Sequence, residues 1–199
     1  MNLTRITLAN DHVRLISLEP VHREALRAAA SDPAIWRHWP RAIIGEAFDA
    51  HFNWQLEEHA AGRWQIYSVV TLGSSGMTGA DPIIGQTCFL NIRPDHSGVE
   101  VGGTWYAPQA QGGLINPACK LLMLGHAFAC GAERVELKTD AENARSRAAI
   151  LKLGATFEGV FRRHMRRMDG TWRDTAWYSV LRDEWPAVQA GLRQRLTPT

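Results

Sequence analysis

The stretch Val99-Glu100-Val101-Gly102-Gly103-Thr104-Trp105-Tyr106-Ala107-Pro108, VEVGGTWYAP, runs directly into Gln109-Ala110-Gln111-Gly112-Gly113-Leu114-Ile115-Asn116-Pro117-Ala118-Cys119-Lys120, QAQGGLINPACK. The first half reads as a strand with two glycines in its middle, where glycine weakens a strand or marks a bulge. A bulge there would splay the strand from its neighbour and free backbone groups for a ligand. The second half sets two more glycines ahead of a helical run, KLLMLGHAFACG, closed by Gly131. Asn116 is a good N-cap and Pro117 a good first helical residue, so the helix is expected to start there. Backbone N–H groups at such a start carry the positive end of the helix dipole, and glycine lets a phosphate come close. Taken alone, the loop reads equally as an anion cradle or as a plain strand-to-helix turn.

Working outward, HVRLISL (12–18) is a first strand and VHREALRAAAS (21–31) a helix that ends before Pro33. AIWRHWPRAI (34–43) is irregular, aromatic and basic. A second helix fits residues 45–61, where Phe48, Phe52 and Leu56 fall at helical spacing. WQIYSVVTL (64–72) is a strand, and GSSGMTGADP (73–82) a loop of hairpin length rather than a domain linker. DPIIGQTCFLNI (81–92) and GVEVGGTWY (98–106) are strands around the turn PDHSG. Beyond the central helix, ERVELKTD (133–140) is a strand and NARSRAAILKLG (143–154) a helix. TFEGVFRRHMRRM and TWRDTAWYSVL form a hairpin across Asp169-Gly170, and EWPAVQAGLRQRL is a terminal amphipathic helix. The order β-αα-β-β-β-α-β-α-β-β-α mixes hairpins with strand–helix–strand units. It predicts an α+β fold with a mixed sheet, not a doubly wound parallel one.

With 199 residues, one domain covering 1–199 is expected. The charged fraction of 21% and net charge of +2 are those of an ordinary globular chain, with nothing that calls for nucleic acid or a membrane surface. Arginine supplies nearly all the positive charge; the lysines are Lys120, Lys138 and Lys152. Cys88, Cys119 and Cys130 are scattered and lack zinc-ligand spacing, so reduced thiols, a cytoplasmic setting and no metal are expected. The start, MNLTRITLANDHVRL, has no signal-peptide pattern, and no apolar run reaches the roughly 20 residues that span a bilayer.

The chain resembles the GNAT family of acetyl-CoA-dependent N-acetyltransferases, over residues 13–185 and most closely its RimJ/RimL-like branch. EVGGTWYAP, QGGLIN, the pair Asn143 and Ser146, and KLGATFEG followed by DGTWRDTAWYSVLRDEW carry the resemblance in order and spacing. It implies a GNAT-type, mostly antiparallel central sheet flanked by helices, with acetyl-CoA as cosubstrate. By the same resemblance, backbone groups of Trp105 and Tyr106 pair with the pantetheine arm, and Gln111, Gly112, Gly113, Leu114, Ile115 and Asn116 hold the pyrophosphate. Asn143 would hydrogen-bond the pantetheine, and Ser146 would lie near the sulfur. Leu114 and Asn116 depart from the family loop, which has glycine, and glycine or alanine, at those places.

Acetyl transfer from a thioester needs a neutral amine, support for an oxyanion, and a departing thiolate. Ser146, or a water it holds, could protonate the thiolate, and a strand N–H near Gly102 to Trp105 could hold the oxyanion. An α-amine of pKa about 7.8 is roughly 10–15% neutral at pH 7, against below about 0.1% for lysine, so a protein or peptide N-terminus is the favoured acceptor. Glu100 is the first choice of base, through water, although a strand carboxylate can equally serve a structural hydrogen bond. His164 is the second choice, and it too can be merely packed or solvated. FRRHMRR (161–167) alternates as a strand with arginine on both faces, and it reads as a solvated, edge-protecting strand or as a rim that attracts a coenzyme phosphate or an acidic acceptor, such as an acidic protein N-terminus. Trp36 and Trp39 are candidate acceptor contacts, with Trp54 packing. Acetylation of a small-molecule amine and a non-catalytic acyl-CoA-binding module are the alternatives, and a homodimer is compatible with either. A Rossmann dehydrogenase is disfavoured because no GxGxxG follows the first strand.

Overall fold

The structure, a computed structural model, describes residues 1–72 and 81–197. The loop read at 73–82 lies outside the described residues except for Asp81 and Pro82. Eight strands form one sheet: β1 (Leu8–Ala9), β2 (Val13–Ser17), β3 (Gln65–Thr71), β4 (Ile83–Arg93), β5 (Gly98–Tyr106), β6 (Arg134–Asp140), β7 (Thr156–Arg166) and β8 (Trp172–Leu181). Their order is β1-β2-β3-β4-β5-β6-β8-β7. Only β5 and β6 pair in parallel; every other neighbour is antiparallel. The helices are α1 (Arg23–Ala29), α2 (Glu46–Ala60), α3 (Ile115–Ala129), α4 (Ala144–Leu153) and α5 (Trp185–Leu196). This is the α+β order read from the sequence, with one strand added. β1 is two residues long, too short to show a period, and Asn10 makes its turn by accepting from the amides of His12 and Val13.

Strand alternation sorts side chains to two faces. On one face Val99, Val101, Val135, Leu137, Ala176 and Tyr178 pack with α3, α4 and α5 through Met123, Leu124, Ile150, Leu153 and Leu192. On the other, Ile66, Cys88, Leu90 and Trp105 are covered by Leu26, Trp36, Phe48 and Phe52 from the first two helices and the segment between them. Each such large apolar side chain contributes about 1.5–3 kcal/mol by leaving water. That second cover stops at β5. Over β6 and β8 the residues alternating with the core, Lys138, Asp140, Arg173, Thr175 and Trp177, are polar or aromatic.

Two expectations are corrected. Helix α3 begins at Ile115, not at Asn116–Pro117: the amide of Ala118 donates to the Leu114 carbonyl at 2.9 Å. Pro117 still sits in the first turn, where a missing N–H costs no intrahelical bond, and Asn116 accepts from the Tyr106 hydroxyl at 3.3 Å instead of capping. Strand β7 does not alternate evenly. Its register to β8 shifts between Phe161 and Met165, Arg163 takes φ +50°, and the Arg163 amide donates to Asp174.

Candidate active site

The pairing of β5 with β6 covers Gly98–Arg134, Val99–Val135 and Glu100–Glu136, and then stops. From there β5 follows β4 while β6 follows β8, so the sheet forks at Glu100. The cause is in the glycine pair. Gln86 faces Trp105 and Cys88 faces Gly102, which leaves Gly103 and Thr104 opposite Thr87 alone. Gly103 has φ +57°, the left-handed conformation that glycine adopts without a Cβ penalty. The bulge turns β5 away, and beyond Glu100 its edge toward β6 has no strand partner among the described residues.

A second bulge re-aims a side chain at the fork. Asn91 takes φ +46° where the β4–β5 register shifts, and its Nδ2 donates to Glu100 Oε2 at 2.7 Å. The Lys138 ammonium, from β6, meets the same oxygen at 2.9 Å and lies 5.0 Å from the Trp177 ring centroid. Glu100 is only 1% exposed, and its Oε1 faces Gly102, where an added Cβ would come within 2.7 Å. One carboxylate oxygen is therefore committed to Asn91 and Lys138, and the other looks along the fork.

Beneath the bulge, on the opposite face, buried Lys120 of α3 donates to Thr104 Oγ1 at 2.9 Å, and Thr104 bonds Thr87 at 2.8 Å. Burial pushes the Lys120 ammonium down to about 8, only partly countered by Cys119, Cys88 and Glu100.

The glycine loop lies beside the fork. Gln111 donates to the Tyr106 carbonyl at 2.8 Å and accepts from Arg145 of α4 at 2.9 Å, tying the loop to the start of α4. A Cβ at Gly112 or Gly113 would meet nothing within 4 Å, so this backbone faces open space. The first turn of α3 carries no acidic residue, and Leu114 before it is 45% exposed. Asn143 caps α4 by accepting from the Ser146 amide at 3.0 Å, with Ser146 half-buried in the first turn. These groups fit a long anionic ligand whose phosphate end rests on an amide-rich loop with Arg145 beside it and whose arm runs along an unpaired strand edge.

On the other side, Trp36 is buried against Trp105 (centroids 5.5 Å apart) and donates to the Ala30 carbonyl, while half-buried Trp39 meets its edge at 5.1 Å. The segment carrying them is tied to the β7–β8 hairpin by the Met168 amide, which donates to the Pro40 carbonyl. His164 bonds Thr175 at 3.1 Å and packs edge-on to Trp177. Burial, then Lys138 and Arg173, lower its pKa, so it is neutral at pH 7. The structure thus brings Glu100, the β5 edge, the glycine loop and the α4 start to one fork. It places Lys138 and Trp177 between Glu100 and His164, and it sinks Trp36 into packing.

The sequence reading missed Asn91, Lys120, Lys138, Arg145 and Arg173. A signal existed for two of them. In a chain with three lysines, two contact this site, which composition bias toward arginine leaves unexplained.

The family model described as acetyltransferase (GNAT) domain matches residues 12–156. No curated protein matches the chain significantly. A provisionally named acetyltransferase from T. thermophilus is 34% identical with TM-score 0.85, covering 99% of this chain and 100% of its own. A GCN5-related N-acetyltransferase from Brucella melitensis is 27% identical with TM-score 0.84, over 98% of this chain and 87% of its own. The fold is also that of Mycobacterium smegmatis RimJ in complex with CoA-disulfide, at 20% identity and TM-score 0.78, over 98% and 97% of the two chains. The chain belongs to the GNAT family of N-acetyltransferases, in its RimJ/RimL type, whose acyl donor is acetyl-CoA.

Proposed function

We propose that the chain, acting as one cytoplasmic domain, moves an acetyl group directly from acetyl-CoA to a primary amine in a ternary complex, with a protein or peptide N-terminus as the favoured acceptor. The fork at Glu100 is the observation that carries this reading. It sets a carboxylate, an unpaired strand edge and two helix starts around one gap, and it leaves Glu100 Oε1 as the oxygen with no partner committed to it.

The donor supplies a thioester carbonyl and a thiolate leaving group. The pantetheine arm is held by the free edge of β5 near Trp105 and Tyr106 and by Asn143. The pyrophosphate is held by the backbone from Gln111 to Asn116, with Arg145 beside it. Glu100 takes the amine proton through a water, the amine nitrogen bonds to the carbonyl carbon, and amides of the bulge support the oxyanion. The carbon–sulfur bond then breaks, and Ser146 or its water returns a proton to sulfur. Thiolate, with a pKa near ~8.5, is a tolerable leaving group, so this last demand is the smaller one. Trp39 lines the acceptor side, with Trp36 as its support, and His164 is a neutral reserve base.

Calorimetry with acetyl-CoA, followed by a thiol-release assay over peptides, polyamines and aminoglycosides, tests the reading. Coenzyme binding with turnover of peptides is the expected result. Lack of binding at millimolar acetyl-CoA sinks it, and binding without turnover of any amine makes the chain an acyl-CoA-binding module.

A further inference from the structure

Among the described residues, the polar face of β6 and β8 contains one cation whose charge has no adequate partner. Arg173 is 8% exposed, and its Nε is buried without a hydrogen bond. Its contacts are marginal: Nη1 to the His38 carbonyl at 3.5 Å and Nε to Asp140 Oδ2 at 3.9 Å. Asp140 cannot serve it better. Its Oδ2 takes Arg167 at 2.7 Å, and its Oδ1 accepts from the Glu142 amide at 3.0 Å. Arg167 is further satisfied by the Trp172 carbonyl at 2.8 Å, and Lys138 is held by Glu100. A buried guanidinium whose Nε has no acceptor and whose other contact is long is costly, and buried charges are ordinarily paired. Its place is equally informative. Arg173 bridges β8 to the segment carrying Trp36 and Trp39, and it lies within electrostatic reach of Glu100, Asp140, Arg167 and His164.

We propose that Arg173 is a specificity-determining residue that binds a carboxylate on the acceptor, so that the preferred substrate is an amine that also carries a carboxylate. The inference rests on the acetyltransfer reading and narrows its acceptor. The amine lies at the free oxygen of Glu100, and the carboxylate lies farther along the same face, under His38, where it completes the Arg173 donor set. Two sources present this chemistry: a free amino acid, and a peptide with an acidic residue at its amino end. A guanidinium–carboxylate pair that neutralises a buried, unpartnered charge is expected to discriminate about ten- to hundredfold against a neutral isostere.

The test is thiol release from acetyl-CoA with matched acceptors. One arm compares amino acids with their carboxamides, and the other compares peptides beginning Ser-Asp or Ser-Glu with Ser-Asn or Ser-Gln. Preference for the carboxylate by about tenfold or more in kcat/KM, in either arm, is expected, and the arm that shows it names the source. Arg173→Gln should bring that ratio toward one, chiefly through KM, and Arg173→Lys should restore part of it. Arg173→Met should melt higher than wild type, because it removes an unpaired buried charge. Equal turnover of carboxylate and carboxamide by the wild type overturns the proposal. So does a loss in Arg173→Gln that is the same for both acceptors, or a fall in melting temperature for Arg173→Met, since either marks a purely structural arginine. Acetyl-CoA titration is read separately: its failure defeats the acetyltransfer reading itself, whereas coenzyme binding with turnover confined to amines that lack a carboxylate defeats the Arg173 assignment alone.

Discussion

Lys138 Nζ lies 2.9 Å from Glu100 Oε2 across the two strands that have just ceased to pair, so an ion pair closes the fork where backbone hydrogen bonds end. Glu100 is buried and Lys138 nearly so. In such a pair the loss of one partner costs more than the loss of both, because a lone buried charge remains. Lys138→Met is therefore expected to destabilise the protein by about 3–5 kcal/mol, and the double variant Glu100→Gln/Lys138→Met by clearly less. Urea unfolding of the four proteins in the cycle measures the coupling; additive losses would show that the pair is merely adjacent. Glu100→Gln alone should also lower kcat by about 10²-fold if its free oxygen drives proton removal.

The glycines of the opening strand make separable predictions. At Gly102 a Cβ would press on Glu100 Oε1 at 2.7 Å and on Leu90 Cδ1 at 3.0 Å, without any demand on backbone conformation. Gly102→Ala is expected to cut kcat while leaving the affinity for acetyl-CoA near wild type. At Gly103 the left-handed φ of +57° adds a backbone cost of about 1–2 kcal/mol to a contact with Cys88 Sγ at 2.9 Å. Gly103→Ala should thus lower stability first, and thermal melts alongside coenzyme titration distinguish the two substitutions. A Gly102→Ala enzyme with normal turnover would remove Glu100 Oε1 from the chemistry.

How much of this was legible in the chain follows from sequence distance. The bulge at Gly102-Gly103, the loop after it and the cap at Asn143 are local events, and local residue preferences announce them. Helix α3 begins two residues before Pro117, its expected first residue, because tertiary demand overrode capping preference: Asn116 is engaged by Tyr106. Strand β1 escaped because two residues hold no period. The fork itself was anticipated as a splay, but its chemistry was not. Lys138 meets Glu100, and Arg173 meets the His38 carbonyl 135 residues away, only after strand order is known. No spacing rule joins residues that approach through a sheet whose last two strands are swapped in order.

Asn143 has two duties that substitution can separate. Its Oδ1 caps α4 at the Ser146 amide, and its Nδ2 is the group assigned to pantetheine. Asn143→Ser keeps a capping oxygen and loses the amide donor, whereas Asn143→Ala loses both at a cost of about 1 kcal/mol in stability. Both variants should raise KM for acetyl-CoA, and only Asn143→Ala should melt lower. A normal KM in Asn143→Ser would reduce Asn143 to a cap.

Lys120 makes a prediction about pH. Burial lowers its pKa from 10.5 to about 8, so between those values the unfolded chain binds a proton that the folded protein does not. Stability therefore rises with pH across that window, and below it the buried ammonium costs about 3 kcal/mol. Neighbouring thiols act in the opposite sense. Burial holds Cys119 up at about 11 and raises Cys88 further, so above about 9 the folded state retains protons that the unfolded chain releases, and stability falls. The wild-type curve is thus expected to climb from pH 8 to 9 and then to turn over and fall, because two thiols outweigh one ammonium. Lys120→Met removes only the climbing component: it should be more stable than wild type by about 1–3 kcal/mol at pH 7, the lost hydrogen bond to Thr104 offsetting part of the gain. That advantage should shrink steadily toward pH 10, because the thiol contributions are common to both proteins and cancel in the difference. Denaturant unfolding of the two proteins at half-unit pH steps reads this directly. A difference that stays constant with pH would mean that Lys120 keeps an ordinary ammonium, hydrated from the fork side, beneath the bulge.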